Sequence, residues 1–521
     1  MYNLKILCYL CVKFKNILNL AQKYDIIIVG SGLGGLVCGY ILAKNGYKTA
    51  IFEKNSQIGG CLQSFTRKGV RFGTGMHYIG SLDKGQIMHK FFKYLNLLDN
   101  VPVNRMDKNC YEVISIGGER YEFACGQKNF VNTLAKKFPE NRTEIEDYAQ
   151  KIREIAESSP LYNLQQINSN NFIDTEYFTT SIYDFVSSIT KNTRLQSVLM
   201  GNLSLYAGVK DKTPIYVCAL MNNFYMQSAW RIVGGSEVIA NSLAKSIENF
   251  GGKIYRNAEV EEMLCDDKKM TKICLTDGRQ FEADYFIANI HPQIAIDKIK
   301  SNLLRKAYRD RIKEIENTIS TFTVFIKFKK NKIKYLNHNF YYHDSENIWE
   351  NENYNEENYP KNYLYMHQSG AEGEQFAESA EIVAFMKYDD VKCWENTKIG
   401  KRGTDYEAFK LQKARKLIDK VAEQFPDLKE NIEAFWTASP LTYRDYTATA
   451  QGSMYGILRD RNFPIQTRVS QRTKIPNFFF TGQNINSHGI LGVTIGAITT
   501  AAEIVDKETI VKQIEESQQD R

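Results

Sequence analysis

YDIIIVGSGLGGLVCGYILAKNGYKTAIFEKNSQIGGCLQSFTRKGVRFGTGMHYIG, residues 24–80, decides the reading of this chain. Ile26-Ile27-Ile28-Val29 is a continuous apolar run of the kind that forms a buried parallel strand, and it enters a turn with Gly30, Gly32 and Gly35 in G-x-G-x-x-G spacing. Gly30 makes the tight turn, Gly32 lets the backbone approach a pyrophosphate, and Gly35 lets the next helix pack close to the strand. Gly34 lies inside the same cluster. Phosphates placed there meet the helix N-terminus, where free N–H groups and the dipole favour negative charge. The helical stretch Leu36–Asn45 is followed by Gly46 and by a second strand, Thr49–Phe52, which ends at Glu53. A carboxylate about 20 residues past the glycines accepts hydrogen bonds from an adenosine ribose.

NAD, NADP and FAD share this first unit. The next glycines separate them: Gly59-Gly60, then Ser64, Gly73, Thr74 and Gly75, continue a phosphate-side loop where simple nicotinamide dehydrogenases pass to further βα units. FAD is the expected tightly held cofactor, with NAD or NADP as the candidate electron donor.

Here the residues carry a family resemblance. Residues 59–80 resemble the corresponding region of the retinol saturase branch of the carotenoid isomerase and phytoene desaturase flavoproteins. Arg231 to Gly235, followed by Leu243, Gly251-Gly252 and Val260, resembles the family's next block. SPLTYRDYTATAQGSMYGI (439–457) and FFFTGQNINSHGILGVTIGA (478–497) resemble its closing section. The resemblance spans residues 24–505. It implies an α/β fold, with a discontinuous Rossmann-type FAD-binding domain of the glutathione-reductase kind and an inserted mixed α+β substrate domain. It adds Val260 at the adenine, and Gly482, Gln483, Gly492, Val493 and Thr494 at the flavin end, where a helix opening at Gly489 offers N–H groups to the isoalloxazine edge. Two departures matter. Gln483 stands where many relatives have Asp, as it does in the retinol-saturase-like branch. Gly73 stands where relatives often have Asp, so no polar role carries over to it.

The expected division is a leader (1–23), FAD-binding segments at 24–90, 228–300 and 439–521, and substrate-domain segments at 91–227 and 301–438. Amphipathic helices are expected at Phe130–Lys137, Thr143–Glu157 and Ser181–Ser188, and an alternating strand at Thr321–Lys327. The polar tract 344–362 reads as a solvated loop. In the leader, the apolar run Ile6–Val12 is too short to span a bilayer. It reads as an interfacial amphipathic helix, a weak signal sequence, or residues added by an upstream start codon.

A chain of 521 residues, 43% of them apolar, can bury a large core. Its +7 net charge, from 67 basic and 60 acidic residues, is spread without a basic arm or stripe, which argues against nucleic acid while suiting an anionic membrane surface. Ten irregularly spaced cysteines, several in apolar surroundings such as Cys38, Cys218 and Cys274, fit reduced thiols in a cytoplasmic protein, with peripheral membrane contact as an option. Cys61, after the glycine pair, is expected near the cofactor. The 12% aromatic content could line a channel for a polyene.

For chemistry, His77 and His488 flank expected flavin contacts and could donate protons near neutrality, with Tyr78 as second choice. His291 precedes a proline at a strand end and reads as structural. His89, His338, His343 and His367 lie outside the flavin-binding blocks. The expected function is flavin-dependent reduction of a carbon–carbon double bond in a polyene or isoprenoid lipid. A carotenoid desaturase or isomerase is the neighbouring alternative, and a non-catalytic prenyl-lipid escort of the same fold is the alternative from another class.

Overall fold

The structure is a computed structural model that describes residues 22–159, 162, 175–368, 375–485 and 487–519. Most of the leader, with Cys8 and Cys11, lies outside them. Strand β1 (Gln22–Val29) begins four residues earlier than the sequence reading placed it. It is followed by helix α1 (Leu33–Lys44) and strand β2 (Thr49–Phe52).

Ile26, Ile27 and Ile28 are wholly buried because β1 lies between two parallel neighbours, β2 on one side and Gln280–Ala288 on the other. That burial on both faces is why the strand reads as a solid apolar run. The sheet continues outward from β2 to Lys253–Tyr255. On the other side it runs through Met270–Leu275 and Val260–Cys265 to Ile299–Lys300, with Phe478–Phe480 also pairing with Gln280–Ala288. Helix α1 packs against Glu237–Asn249 and Gly489–Ala501. Three distant stretches of chain thus build one Rossmann-type layer. The helix opening at Gly489 is followed by one more, Lys507–Ser517.

A second sheet, of seven strands, runs in the order Ile432–Ala438, Ser320–Phe328, Ser379–Met386, Asn362–His367, Asn339–His343, Glu112–Ile116 and Glu119–Phe123. Its side chains alternate between two cores. Val113, Tyr342, Tyr363, Tyr365 and Ile382 pack on one face, and Ile114, Tyr341, Leu364, Met366 and Val383 on the other. The strand expected at Thr321–Lys327 is Ser320–Phe328, and its alternation of Thr and apolar residues does not mark a wet face: all but one of its nine residues are buried. Helices occupy Gln127–Ala135, Arg142–Glu157 and Ile182–Ile189, close to the expected spans. The tract 344–362 is irregular, yet it tucks Tyr354 and Tyr359 inside.

The eight described cysteines are free thiols. Cys274 is only half-buried rather than enclosed. Among the described residues, no helix is long and apolar enough to cross a membrane.

Candidate active site

Gly30 ends β1 with φ +97°, a left-handed conformation that side chains resist, and its N–H donates to the Phe52 carbonyl at 2.8 Å. Gly32 caps α1 with an ordinary φ of −62° and no side-chain hydrogen bond, so the amides of the first turn stay open. At Gly35 the constraint is packing: a Cβ there would stand 2.2 Å from the Gly30 carbonyl oxygen. The second pair closes on the first, with the Gly59 N–H donating to the Ser31 carbonyl at 3.0 Å.

Asn289 was not singled out by the sequence. It ends the strand paired with β1, and its amide Nδ2 donates to the Gly30 carbonyl at 3.3 Å. Cβ atoms built at Gly32, Gly34 and Gly482 would each come within 2.9 Å of this one side chain. The glycines of the first and closing blocks are therefore fitted around the same amide. The available signal was an amide directly after the buried apolar end of a strand, Phe286–Ala288.

Glu53, 6% exposed, is held from two sides. One carboxylate oxygen accepts the Ser31 N–H at 3.1 Å and its hydroxyl at 2.6 Å, and the other accepts the Asn55 N–H at 2.9 Å. With both oxygens facing backbone N–H groups, a glutamine would have to turn its own NH2 toward one of them. Glu53→Gln is therefore expected to lower dinucleotide affinity and to destabilise the loop by about 1–3 kcal/mol. Isothermal titration with FAD and a melting curve would check this, and wild-type values in both would refute it.

These residues open on a cavity of about 1070 Å³. Gly30, Gly32, Gly34, Glu53, Gly59, Gly60, Gly75, Val260, Gly482, Gln483 and Val493 line it, as do Cys61, His77 and Tyr78. Gly35, Gly492, Thr494 and His488 do not. Gly35 is spent on packing, a Cβ at Gly492 would lie 2.8 Å from the Ser487 carbonyl, and Thr494 is fully buried. The Val260 carbonyl accepts Lys298 Nζ at 2.7 Å and so is not open to an adenine without competition. His291 also lines the cavity, as the N-cap of the helix Pro292–Lys298. A turn cleared of side chains, an uncapped helix start and a fixed carboxylate fit a dinucleotide's pyrophosphate and ribose.

Strand parity builds the opposite wall. The face of the second sheet that carries Tyr341, Leu364 and Val383 also carries Glu112 and Glu381, because each lies an even number of residues from Ile114 or Val383. Leu364, Val383 and Phe385 line the cavity. Glu381 is fully buried, and its Oε2 lies 3.0 Å from His77 Nδ1 at ion-pair distance. Tyr78 hydroxyl donates to Glu112 Oε1 at 2.6 Å. Neither glutamate was anticipated; the only hint was an acid at the start of one apolar strand and inside another.

His488 falls elsewhere. It stacks on Tyr455 with ring centroids 4.3 Å apart and faces a separate cavity of about 300 Å³ on the far side of the last glycine-rich helix start. Burial, assisted by nearby Arg459, pushes it down to about 3, so it stays neutral and cannot supply a proton near neutrality. Its expected role as donor is corrected accordingly.

Comparison with known proteins agrees with this geometry. The family model described as flavin containing amine oxidoreductase matches residues 33–505. All-trans-retinol 13,14-reductase of Danio rerio is 26% identical over 93% of this chain and 86% of its own length. 4,4'-Diaponeurosporene oxygenase of Staphylococcus aureus is 23% identical over 93% of this chain and 98% of its own. Among solved structures, an oxidoreductase from Methanosarcina mazei superimposes with a TM-score of 0.62 at 14% identity, covering 92% of this chain and 99% of that one.

Proposed function

Given that the chain belongs to the flavin containing amine oxidoreductase family, we propose that it is an FAD-dependent oxidoreductase that reduces a carbon–carbon double bond of a polyene or isoprenoid lipid. The carrying observation is the cavity itself. At about 1070 Å³ it matches or exceeds the roughly 300–1000 Å³ of a pocket for one small ligand. It runs from the glycine loop to a wall of Leu205, Leu364, Val383, Phe385 and Met454, which suits an apolar chain lying beside the cofactor.

In this reading Gly30, Gly32 and Gly34 seat the pyrophosphate, Glu53 the ribose, and Gly482, Gln483 and Val493 the flavin end. When bound, reduced flavin supplies a hydride to one carbon of an alkene. The chain's own work is to exclude water, orient the alkene and hold a proton. The helix Gly489–Ala501 starts at the cavity without a side-chain cap, so its first amides favour negative charge there. His77 and Tyr78 are among the wall residues able to carry a proton. Relatives named for action on retinol and on diaponeurosporene support a substrate of that class.

The test is spectroscopic. Purified protein is expected to release FAD on acid precipitation. After anaerobic reduction by dithionite, or by NADH or NADPH offered as donor, its flavin should be reoxidised by all-trans-retinol or a related polyene with formation of the dihydro product. A flavin that no polyene reoxidises would refute the substrate class. Polyene binding without any redox change would support the escort alternative.

A further inference from the structure

Directly behind the cavity wall lies a carboxyl group that the site described so far does not use. Glu112 opens the strand Glu112–Ile116 and is completely buried. Its Oε1 accepts the Tyr78 hydroxyl at 2.6 Å and its Oε2 accepts Asn202 Nδ2 at 3.3 Å. The Tyr78 hydroxyl is also 2.9 Å from that of Tyr341, and its ring stacks on Tyr225 with centroids 4.2 Å apart. Asn202 is itself fixed by Asn222 at 2.8 Å. Of these groups only Tyr78 reaches the cavity.

Such an arrangement is costly as pure structure. A well-packed apolar side chain would serve a core at least as well as an acid buried without a countercharge. The titratable groups facing Glu112 are the phenols of Tyr78, Tyr111, Tyr148, Tyr225 and Tyr341 and the thiols of Cys110 and Cys125; among the described residues no cation pairs with it, the buried Arg231 acting on Tyr78 and Tyr341 instead.

We propose that Glu112 is the proton store of this site, passing its proton through Tyr78 to one carbon of the double bond while the hydride arrives at the other. The inference rests on the alkene-reducing reading above. In the step, the Tyr78 O–H bond breaks as a C–H bond forms, and the Glu112 O–H bond breaks as the Tyr78 O–H bond is restored. The two electrons come with the hydride of reduced flavin, the alkene becomes CH–CH, and Glu112 is left as a carboxylate to be reprotonated between turnovers. Burial pushes Glu112 up to about 7, so it carries a proton over much of the neutral range. Burial, then the Glu112 charge, hold the Tyr78 phenol well above its usual range. Tyr78 therefore cannot keep the negative charge left by donation, and Glu112 can. Tyr78 is the residue that touches substrate; Glu112 acts through it.

The experiment uses the FAD-loaded protein with Glu112→Gln and Tyr78→Phe, the second retaining the ring stack if the first folds poorly. Infrared titration without substrate should show a carboxylic-acid C=O band that disappears with a midpoint near 7. Glu352 is raised to about 7 as well, so the Glu112 band is the part of this signal that is absent from Glu112→Gln, and that part should be displaced in Tyr78→Phe. Stopped-flow reoxidation by all-trans-retinol should slow above that midpoint in the wild type. In Glu112→Gln it should be about 10²-fold slower and flat with pH, at unchanged flavin content. Absence of a titrating band, or a band untouched by Tyr78→Phe, overturns the proposal whatever the kinetics. So does a wild-type rate and pH profile in Glu112→Gln. If the band behaves as stated but retinol fails with the wild type as well, the proton store stands and the substrate reading falls.

Discussion

Gly32→Val is expected to yield a folded protein that purifies without flavin. The backbone at Gly32 has a φ of −62°, which valine tolerates, and the nearest obstacle to a Cβ is the amide end of Asn289 at 2.9 Å, a side chain that can shift. Folding should therefore survive. Binding should not, because the same Cβ and its methyls would occupy the space over the uncapped first turn of α1 where a pyrophosphate must sit. A loss of about 10²-fold or more in FAD affinity corresponds to roughly 3 kcal/mol or more. Gly35→Val is the control: its Cβ would meet the Gly30 carbonyl oxygen, a backbone atom, at 2.2 Å, so that variant should lose fold and flavin together. Circular dichroism and acid-released FAD separate the two outcomes. Retention of FAD by Gly32→Val would place the pyrophosphate elsewhere.

Acid should unfold this protein steeply, and the histidines are the reason. His291, His338 and His343 are pushed down to about 4, and His367 and His488 to about 3, in every case chiefly by burial. Each is neutral in the fold but takes a proton near 6.5 when the chain unfolds, so its contribution is complete above pH 6.5 and is lost as pH falls below it. Two acids oppose them. Glu112 and Glu352 are raised by burial from 4.5 to about 7, so their protons favour the fold, and that contribution is lost as pH rises from 4.5 to 7. Between pH 6.5 and 4.5, unfolding takes up five protons at the histidines and releases two at the glutamates. The net of three is worth about 4 kcal/mol per pH unit, against a total stability of roughly 5–15 kcal/mol. The histidines win. Melting temperature should fall sharply from pH 6.5 to 5, and a melting temperature that rises over that interval would reverse the sign.

The sequence by itself determined whatever is local in the chain. Ile26–Val29, the spaced glycines and Glu53 lie within one βαβ unit, and strand, turn and helix each follow from neighbours a few residues away, so the dinucleotide site could be read as text. The closing block could be placed only through family resemblance, and the meeting of Gly482 with Gly34 around Asn289 joins residues about 200 to 450 positions apart. The far wall was invisible for a sharper reason. Glu112, Tyr341 and Glu381 share one face because four strands, with Asn362–His367 among them, pair in a particular register, and a slip of one residue would turn each to the opposite core. His488 shows the converse. Its glycine-rich surroundings marked it as a site residue, but whether it faces the cofactor cavity or Tyr455 depends on where the N-terminus of Gly489–Ala501 lands against the rest of the fold. That same packing removes water from the ring and its proton with it. Spacing along the chain marked the candidates for the cofactor site; sheet register and burial decided which titratable groups can hold a proton.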